Sequence, residues 1–253
     1  MAWHLSQALE NSEHSLLEVH SRDPANARRL VSRLYNTTVM PDLDFSESAA
    51  EVIFLAVPDD AIADVIEKMV LPENAILVHT SGTKSLEELD RLVQIYSDVP
   101  VETGVFYPLQ TFSRERALDF LEIPICVEAH NAPTEQILVD LAKTLSDVVY
   151  LVSSQERKVL HLAAVFACNF TNYLLAESKM ILDTASLDFS MLRPLIRETY
   201  QKALAADDPR LVQTGPAKRR DTDTMQNHQL FLIDNHPHLL KIYQNISEGI
   251  GEV

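Results

Sequence analysis

The sequence predicts an α/β fold, in which a doubly wound and mostly parallel sheet is followed by an all-α helical domain. Residues 16–152 alternate short apolar segments with amphipathic ones, as parallel strands joined by helices do. From Ser154 onward, apolar residues recur at helical spacing, and no convincing strand follows. We therefore expect an α/β domain over residues 1–152 and a helical domain over residues 153–253.

Six apolar segments are the predicted strands of the first domain. Their lengths suit buried strands, and helical patterns lie between several of them. The segments are LLEVH (16–20), VIFLAV (52–57), AILVHT (75–80), VETGVFY (101–107), IPICVEA (123–129) and VVYLV (148–152).

Two predicted helices have clear capping signals at their N-termini. Asp23 is the expected N-cap of a helix whose first residue is Pro24, and Ser85 and Glu88 are spaced as a capping box. In the second domain we expect one long, mainly apolar helix over QERKVLHLAAVFACNFTNYLLAESKMILDTA, another over MLRPLIRETYQKALAA, and two more at HQLFLIDN and HLLKIYQNISEGI.

The chain opens on MAWHLSQALE, which already has helical spacing and no preceding N-cap. None of the five glycines lies in a G-x-G-x-x-G turn after a strand. We expect a first strand and a glycine loop, about 10–15 residues, ahead of Met1. In the chain as given, the central slot of the sheet should be empty and the pyrophosphate cradle absent. The alternative is that the two neighbouring strand edges pair directly.

Composition limits the partners and the compartment. The formal charge of −16 argues against nucleic acid or an anionic membrane as the main partner. No apolar run approaches the roughly 18 residues of a membrane span. Cys126 and Cys168 lie among apolar residues, so we expect buried thiols rather than a disulfide. These features predict a cytoplasmic protein without a metal site.

The turn after the first predicted strand bears on the cofactor. If Ala2 is the last small residue of a dinucleotide fingerprint, the strand that follows it, LLEVH, should end about 20 residues later. Ser21 and Arg22 lie there. An acidic residue would bind the ribose of NAD, whereas Ser-Arg suits the 2′-phosphate of NADP. The alternative is a solvated turn with a surface arginine.

The turns after the next two strands are further candidates for cofactor binding. Val57, Pro58 and Asp59 would edge the ribose and nicotinamide, and Ser81 and Gly82 would lie near the nicotinamide. Both sets are also ordinary turn residues, and Asp59 also suits a helix N-cap.

Two loops and one helix carry the remaining candidates. Gln110 and Thr111 in YPLQTFS would bind substrate, and Arg219 in QTGPAKRRD would receive a carboxylate or phosphate; plain loops are the alternatives. On the long helix a polar stripe falls within roughly 80° of arc at 100° per residue. His161 is its best general acid, because histidine titrates near neutrality. The stripe comprises Lys158, His161, Asn169 and Asn172. The alternative is that His161 and the asparagines form hydrogen bonds with backbone groups across the helix packing or a dimer interface.

The runs IFLAVPDDAI, VHTSGT, GVFYPLQTFS, ERKVLHLAAVFACNFTNYLL and QTGPAKRRD resemble a family of NADP oxidoreductases. That family joins a Rossmann domain to a C-terminal helical domain of unknown function and is similar to pyrroline-5-carboxylate reductase and the 6-phosphogluconate dehydrogenase group. The resemblance implies NADP as cofactor and a homodimer built by the helical domain. Relatives often have glycine where this chain has Arg220.

Two functions remain open at this point. One is NADP-dependent hydride transfer to or from a small C=O or C=N substrate. The other is a non-catalytic dimer that has lost its dinucleotide site and serves as a binding or scaffold protein. The glycine loop discriminates between them.

Overall fold

The computed structural model describes residues 1–12, 14–114 and 116–252. All six predicted strands are confirmed, although each is shorter than or shifted from its segment. One further strand, β2, was missed. The strands are β1 (Glu18–Val19), β2 (Thr38–Val39), β3 (Val52–Leu55), β4 (Ile76–His79), β5 (Glu102–Pro108), β6 (Ile125–Ala129) and β7 (Val149–Leu151).

The strands form two sheets. β1 and β2 pair in parallel, and the larger sheet has the order β3-β4-β5-β6-β7. All its pairings are parallel except that of β5 with β6. The mostly parallel sheet is thus confirmed. In the described part of the chain β1 and β3 belong to different sheets, so their edges do not pair directly.

Helices of the first compact unit, residues 1–168, precede, connect and follow these strands. Both predicted N-caps form: the Asp23 carboxylate accepts from the Ala25 N–H at 2.9 Å and the Ser85 hydroxyl accepts from the Glu88 N–H at 3.1 Å. The reciprocal half of the predicted capping box does not form, because the Glu88 carboxylate pairs with Lys84 at 2.6 Å instead. The helices are α1 (Ala2–Glu10), α2 (Pro24–Val31), α3 (Ile62–Ile66), α4 (Leu86–Tyr96), α5 (Ala132–Lys143) and α6 (Ser154–Ala164).

The second compact unit, residues 169–253, is helical wherever the structure describes regular elements. The predicted long helix is interrupted by a π-helical turn, Val165–Phe170. Arg220 is left-handed, with φ 56°, a conformation that glycine adopts at lower cost than other residues. The further helices are α7 (Thr171–Asp183), α8 (Arg193–Ala205), α9 (Pro216–Arg219), α10 (Thr222–Asn235) and α11 (Leu240–Glu252). The predicted boundary at residue 152 coincides with the end of the strands and remains a prediction.

The core lies on both faces of the larger sheet. Alternate residues of β4 point to opposite faces: Val78 packs in a cluster with Leu5 of α1 and Leu138 of α5. Leu77 packs in a second cluster with residues of α3 and α4, among them Leu89. The sheet is therefore covered on both sides, as the apolar strands predict.

Two expectations from composition need correction. Cys126 is buried, but Cys168, within the π-helical turn, is exposed, because the apolar residues around it in sequence do not form core. In the described chain one helical stretch, Ser154–Asp183, is long and apolar enough to cross a bilayer by length and composition. The expectation that no segment approaches a membrane span was therefore wrong for this stretch.

Two glycine substitutions test the packing of the sheet. A methyl group on Gly104 would lie 2.5 Å from Cδ1 of Leu138 and 3.3 Å from the carbonyl oxygen of Glu128. We therefore expect Gly104→Ala to lower the free energy of unfolding by about 1–3 kcal/mol, measured by urea denaturation.

The matched control is Gly249→Ala in α11, where an added Cβ would meet nothing within 4 Å. It should raise the free energy of unfolding by about 0.5–1 kcal/mol, because alanine favours the helix. Equal stability of Gly104→Ala and the parent chain would contradict the packing described.

Candidate active site

The turns after β3 and β4 are tied together by one carboxylate. Asp59 accepts hydrogen bonds from the hydroxyl of Ser81, at 2.8 Å, and from that of Thr83. The Ser81 oxygen in turn accepts from the backbone N–H groups of Thr83 and Lys84, each at 3.0 Å. The predicted residues Asp59 and Ser81 thus share one hydrogen-bonded cluster at the carboxyl ends of two parallel strands, where open α/β sheets bind ligands.

His161 of α6 reaches the same edge of the sheet. Its Nδ1 lies 3.2 Å from the hydroxyl of Tyr107, near the end of β5, and the two rings meet edge to face. A Cβ added to Gly82 would lie 2.6 Å from this Nδ1 and 3.0 Å from Cζ of Tyr107. Only glycine at position 82 lets the imidazole approach so closely.

A buried ion pair fixes the start of α6. The guanidinium of Arg157 is fully buried and donates to Glu128 of β6 and to the Lys84 carbonyl, both at 2.5 Å. Ser154 completes the arrangement, because its N–H and its hydroxyl donate to the two oxygens of Glu128 at 2.8 and 2.7 Å. These contacts join α6 to β6 and to the turn after β4.

His79, the last residue of β4, lies beneath this arrangement and is 0 % exposed. Burial and, next, the positive charge of Arg157 lower its pKa from 6.5 to about 4. Its Nδ1 accepts from the Ser81 N–H at 3.2 Å. His79 is therefore neutral at pH 7 and serves the turn as an acceptor.

The segment around α2 carries positive charge in an otherwise acidic chain, with Arg28 and Arg29 in the last turn of the helix. Residues 20–34 contain four arginines and one acidic residue, Asp23. Arg22 is exposed in the turn between β1 and α2, and Arg114 donates to Asn26 of α2 at 3.4 Å. This arrangement suits the 2′-phosphate of NADP.

The other predicted residues lie as follows. Ala2 is the first residue of α1, Val57 and Pro58 precede the 3₁₀ turn Asp59–Ala61, and Gln110 and Thr111 are exposed after β5. Lys158 is exposed on α6, and Arg219 is exposed at the end of α9. No group of three or more metal-ligating side chains occurs among the described residues.

The predicted stripe on the long helix does not hold as one α-helical face. The π-helical turn Val165–Phe170 lies between His161 and Asn172 and contains Asn169. Its i→i+5 hydrogen bonds break the 100° spacing that the stripe assumes. The structure brings His161 to Tyr107, whereas Asn169 and Asn172 belong to the second compact unit.

Sequence reasoning missed Tyr107, Glu128 and Arg157. Tyr107 reads as an ordinary apolar strand residue, and its hydroxyl position depends on a partner 54 positions away. The sequence held one indication of Arg157. It is a permanently charged side chain four positions before His161, and residues at that spacing lie on the same face of a helix.

Two family models match the chain: a Rossmann-like domain over residues 2–100 and the domain of unknown function DUF2520 over residues 123–250. None of the curated proteins compared with the chain matches it. A structure from Bacteroides fragilis, provisionally described as an NADP oxidoreductase, is 36% identical with a TM-score of 0.88, over 100% of this chain and 94% of that one.

Two more distant structures share the fold. An imine reductase from Myxococcus stipitatus in complex with NADP⁺ is 14% identical with a TM-score of 0.69, over 100% of this chain and 90% of that one. A reductive aminase from Aspergillus terreus in complex with cyclohexanone and allyl amine is 12% identical with a TM-score of 0.68, over 99% and 92%.

The low pKa of His79 predicts a pH dependence of stability. Unfolded histidine protonates near pH 6.5, so between pH 6.5 and about 4 the unfolded state binds more protons than the folded state. Stability is therefore lost as the pH falls through this window, by about 3 kcal/mol in total. Urea denaturation at several pH values measures it.

His79→Asn is the control, because the amide oxygen keeps an acceptor for the Ser81 N–H and does not titrate. The difference in stability between the two proteins should change with pH in that window and level off above it. A constant difference from pH 7 to pH 4 would contradict the assignment.

Proposed function

Because the chain belongs to the family that joins a Rossmann-like domain to DUF2520, we propose that it is an NADP-dependent oxidoreductase acting on a small C=O or C=N substrate. The observation that supports this best is His161, held beside Gly82 and Tyr107 at the ligand-binding edge of the sheet. A group with a transferable proton at that edge suits reduction, which adds a hydride and a proton.

NADPH supplies the hydride when bound. The residues of this chain would bind and orient it: Arg22 at the 2′-phosphate, Ala2 beside the pyrophosphate, and Asp59, Ser81 and Gly82 along the ribose and nicotinamide. Val57 and Pro58 would edge the same groove. Arg22 and Arg114, which donates to Asn26, would give the start of α2 the positive charge that the phosphate needs.

The substrate side is also a proposal. His161 would donate the proton, with Lys158, Asn169 and Asn172 as further candidates on the same long helix. Gln110, Thr111 and Arg219 are our candidates for binding the substrate. An imine reductase and a reductive aminase share this fold, so we include C=N bonds in the substrate class.

Titration of NADPH and NADH into the chain tests the cofactor. We expect tighter binding of NADPH, because Arg22 can form charge-assisted hydrogen bonds with the 2′-phosphate. Arg22→Asp should reduce that preference by roughly 10- to 100-fold, since hydrogen bonds to charged groups contribute about 1.5–3 kcal/mol. NADPH consumption with cyclohexanone and allylamine tests turnover.

Arg91→Asp, the same charge change on α4, is the control and should leave the preference unchanged. Equal affinity for NADH and NADPH in the parent chain would refute the cofactor assignment. If the chain binds neither dinucleotide, the binding or scaffold function is favoured instead.

We further propose that the protein is a homodimer, assembled mainly by residues 155–253. Large apolar side chains are exposed throughout this region, including Leu204 at 85% and Leu211 at 79%. Both cysteines are free thiols, so we expect the dimer in the cytoplasm. Sedimentation at micromolar concentration should show twice the 28.5 kDa of one chain.

Leu204→Asp should weaken this dimer, because a charge would replace an apolar side chain at the contact. Tyr35→Asp is the matched control, since Tyr35 is 82% exposed but lies in the first compact unit. A single 28.5 kDa species in the parent chain would exclude the dimer.

A further inference from the structure

The two nitrogens of the His161 ring have different surroundings. Nδ1 lies 3.2 Å from the hydroxyl of Tyr107, and a Cβ added to Gly82 would lie 2.6 Å from the same nitrogen. Nε2 has no hydrogen-bond partner among the described residues, and the side chain is only partly buried. The ring therefore turns Nδ1 towards the protein and leaves Nε2 for a ligand.

We infer that Tyr107 is a positioning residue for His161: its hydroxyl donates to Nδ1 and so holds the proton of the neutral imidazole on Nε2. Nε2–H is then the group that faces the substrate. The phenol is a strong donor and a weak acceptor, whereas the unprotonated nitrogen of imidazole accepts strongly. This inference about proton delivery rests on the proposed reductase function.

The surroundings of Tyr107 keep its hydroxyl protonated. Burial raises the pKa of Tyr107, and Cys126 on β6 and Asp59 raise it further, against the opposing charge of Arg157. Tyr107 is 8% exposed and packs with Leu160, the residue before His161. The phenol thus remains a donor over the physiological pH range.

The proton balance of the reduction follows. In the proposed reduction NADPH would supply the hydride for the new C–H bond, and the substrate oxygen or nitrogen would take the proton from Nε2 of His161. Nδ1 takes the proton of the Tyr107 hydroxyl, so the imidazole stays neutral, and the phenolate regains a proton from water. Without the phenol, proton donation from the neutral imidazole would leave an imidazolate. The donor is then the doubly protonated imidazolium, which becomes neutral when it gives up its proton.

Nitrogen-15 NMR of the whole chain tests the tautomer without cofactor or substrate. Near pH 8 we expect Nδ1 of His161 to resonate as an unprotonated nitrogen and Nε2 as a protonated one. In Tyr107→Phe the resonance of Nδ1 should shift, and the population protonated at Nδ1 should rise. Protonation of Nδ1 in the parent chain, with Tyr107 as acceptor, would overturn the inference.

The chain contains a matched control pair. His228 Nδ1 lies 3.0 Å from the hydroxyl of Tyr243, also with the rings edge to face, in the second compact unit. Tyr243→Phe should shift the resonances of His228 and leave those of His161 unchanged. A Tyr107→Phe protein that leaves the His161 resonances unchanged would contradict the proposed hydrogen bond.

Kinetics with NADPH, cyclohexanone and allylamine provide the second readout. In Tyr107→Phe we expect kcat to fall by roughly 10- to 100-fold with little change in KM, and to fall further as the pH rises. The parent chain should not show this added pH dependence. Equal pH profiles would overturn the relay. If the parent chain neither binds NADPH nor turns over these substrates, the proposed function fails, and the NMR result still decides the tautomer.

Discussion

The buried ion pair between Arg157 and Glu128 is the interaction on which the site depends. The pair is 29 positions apart in sequence, and the Arg157 side chain is fully buried. Burying two charges costs several kcal/mol per ion, which attraction repays only with good geometry and further hydrogen bonds. Here Ser154 and the Lys84 carbonyl supply those bonds. We interpret the pair as a device for registration more than for stability, because this placement of α6 brings all of these partners together, although the buried Nε of Arg157 has no partner among the described residues.

That registration determines the position of His161. Arg157 and His161 are four residues apart, so they lie one above the other on one face of α6. A slip of one residue would move His161 by about 1.5 Å and rotate it by about 100°, away from Tyr107. Gly82 restricts the position of the His161 ring further, because any side chain at residue 82 would occupy the space of the imidazole. The Arg157–Glu128 ion pair, Gly82 and Tyr107 together define one position for the ring of His161.

The predictable features are those that depend on local pattern. The strands, the caps at Asp23 and Ser85 and the helical second half follow from periodicity and short-range spacing. β2 was missed because its two residues are ordered by pairing with β1. The π-helical turn was missed because apolar residues fit either spacing. Tyr107, Glu128 and Arg157 were missed for a common reason: each acquires its role from a partner on another element, and a single sequence gives no sign of which residues meet.

The net charge of the chain differs from the local charge at one site in the same way. A formal charge of −16 argues against polyanionic partners, whose many phosphates would meet the average surface. A dinucleotide presents only a few phosphates, and at physiological ionic strength charges beyond about 8 Å are largely screened. The field at the start of α2 is therefore set by the nearby charges of Arg22, Asp23 and Arg114, not by the distant carboxylates. The negative net charge of the chain therefore argues against large polyanions but not against a small anionic ligand.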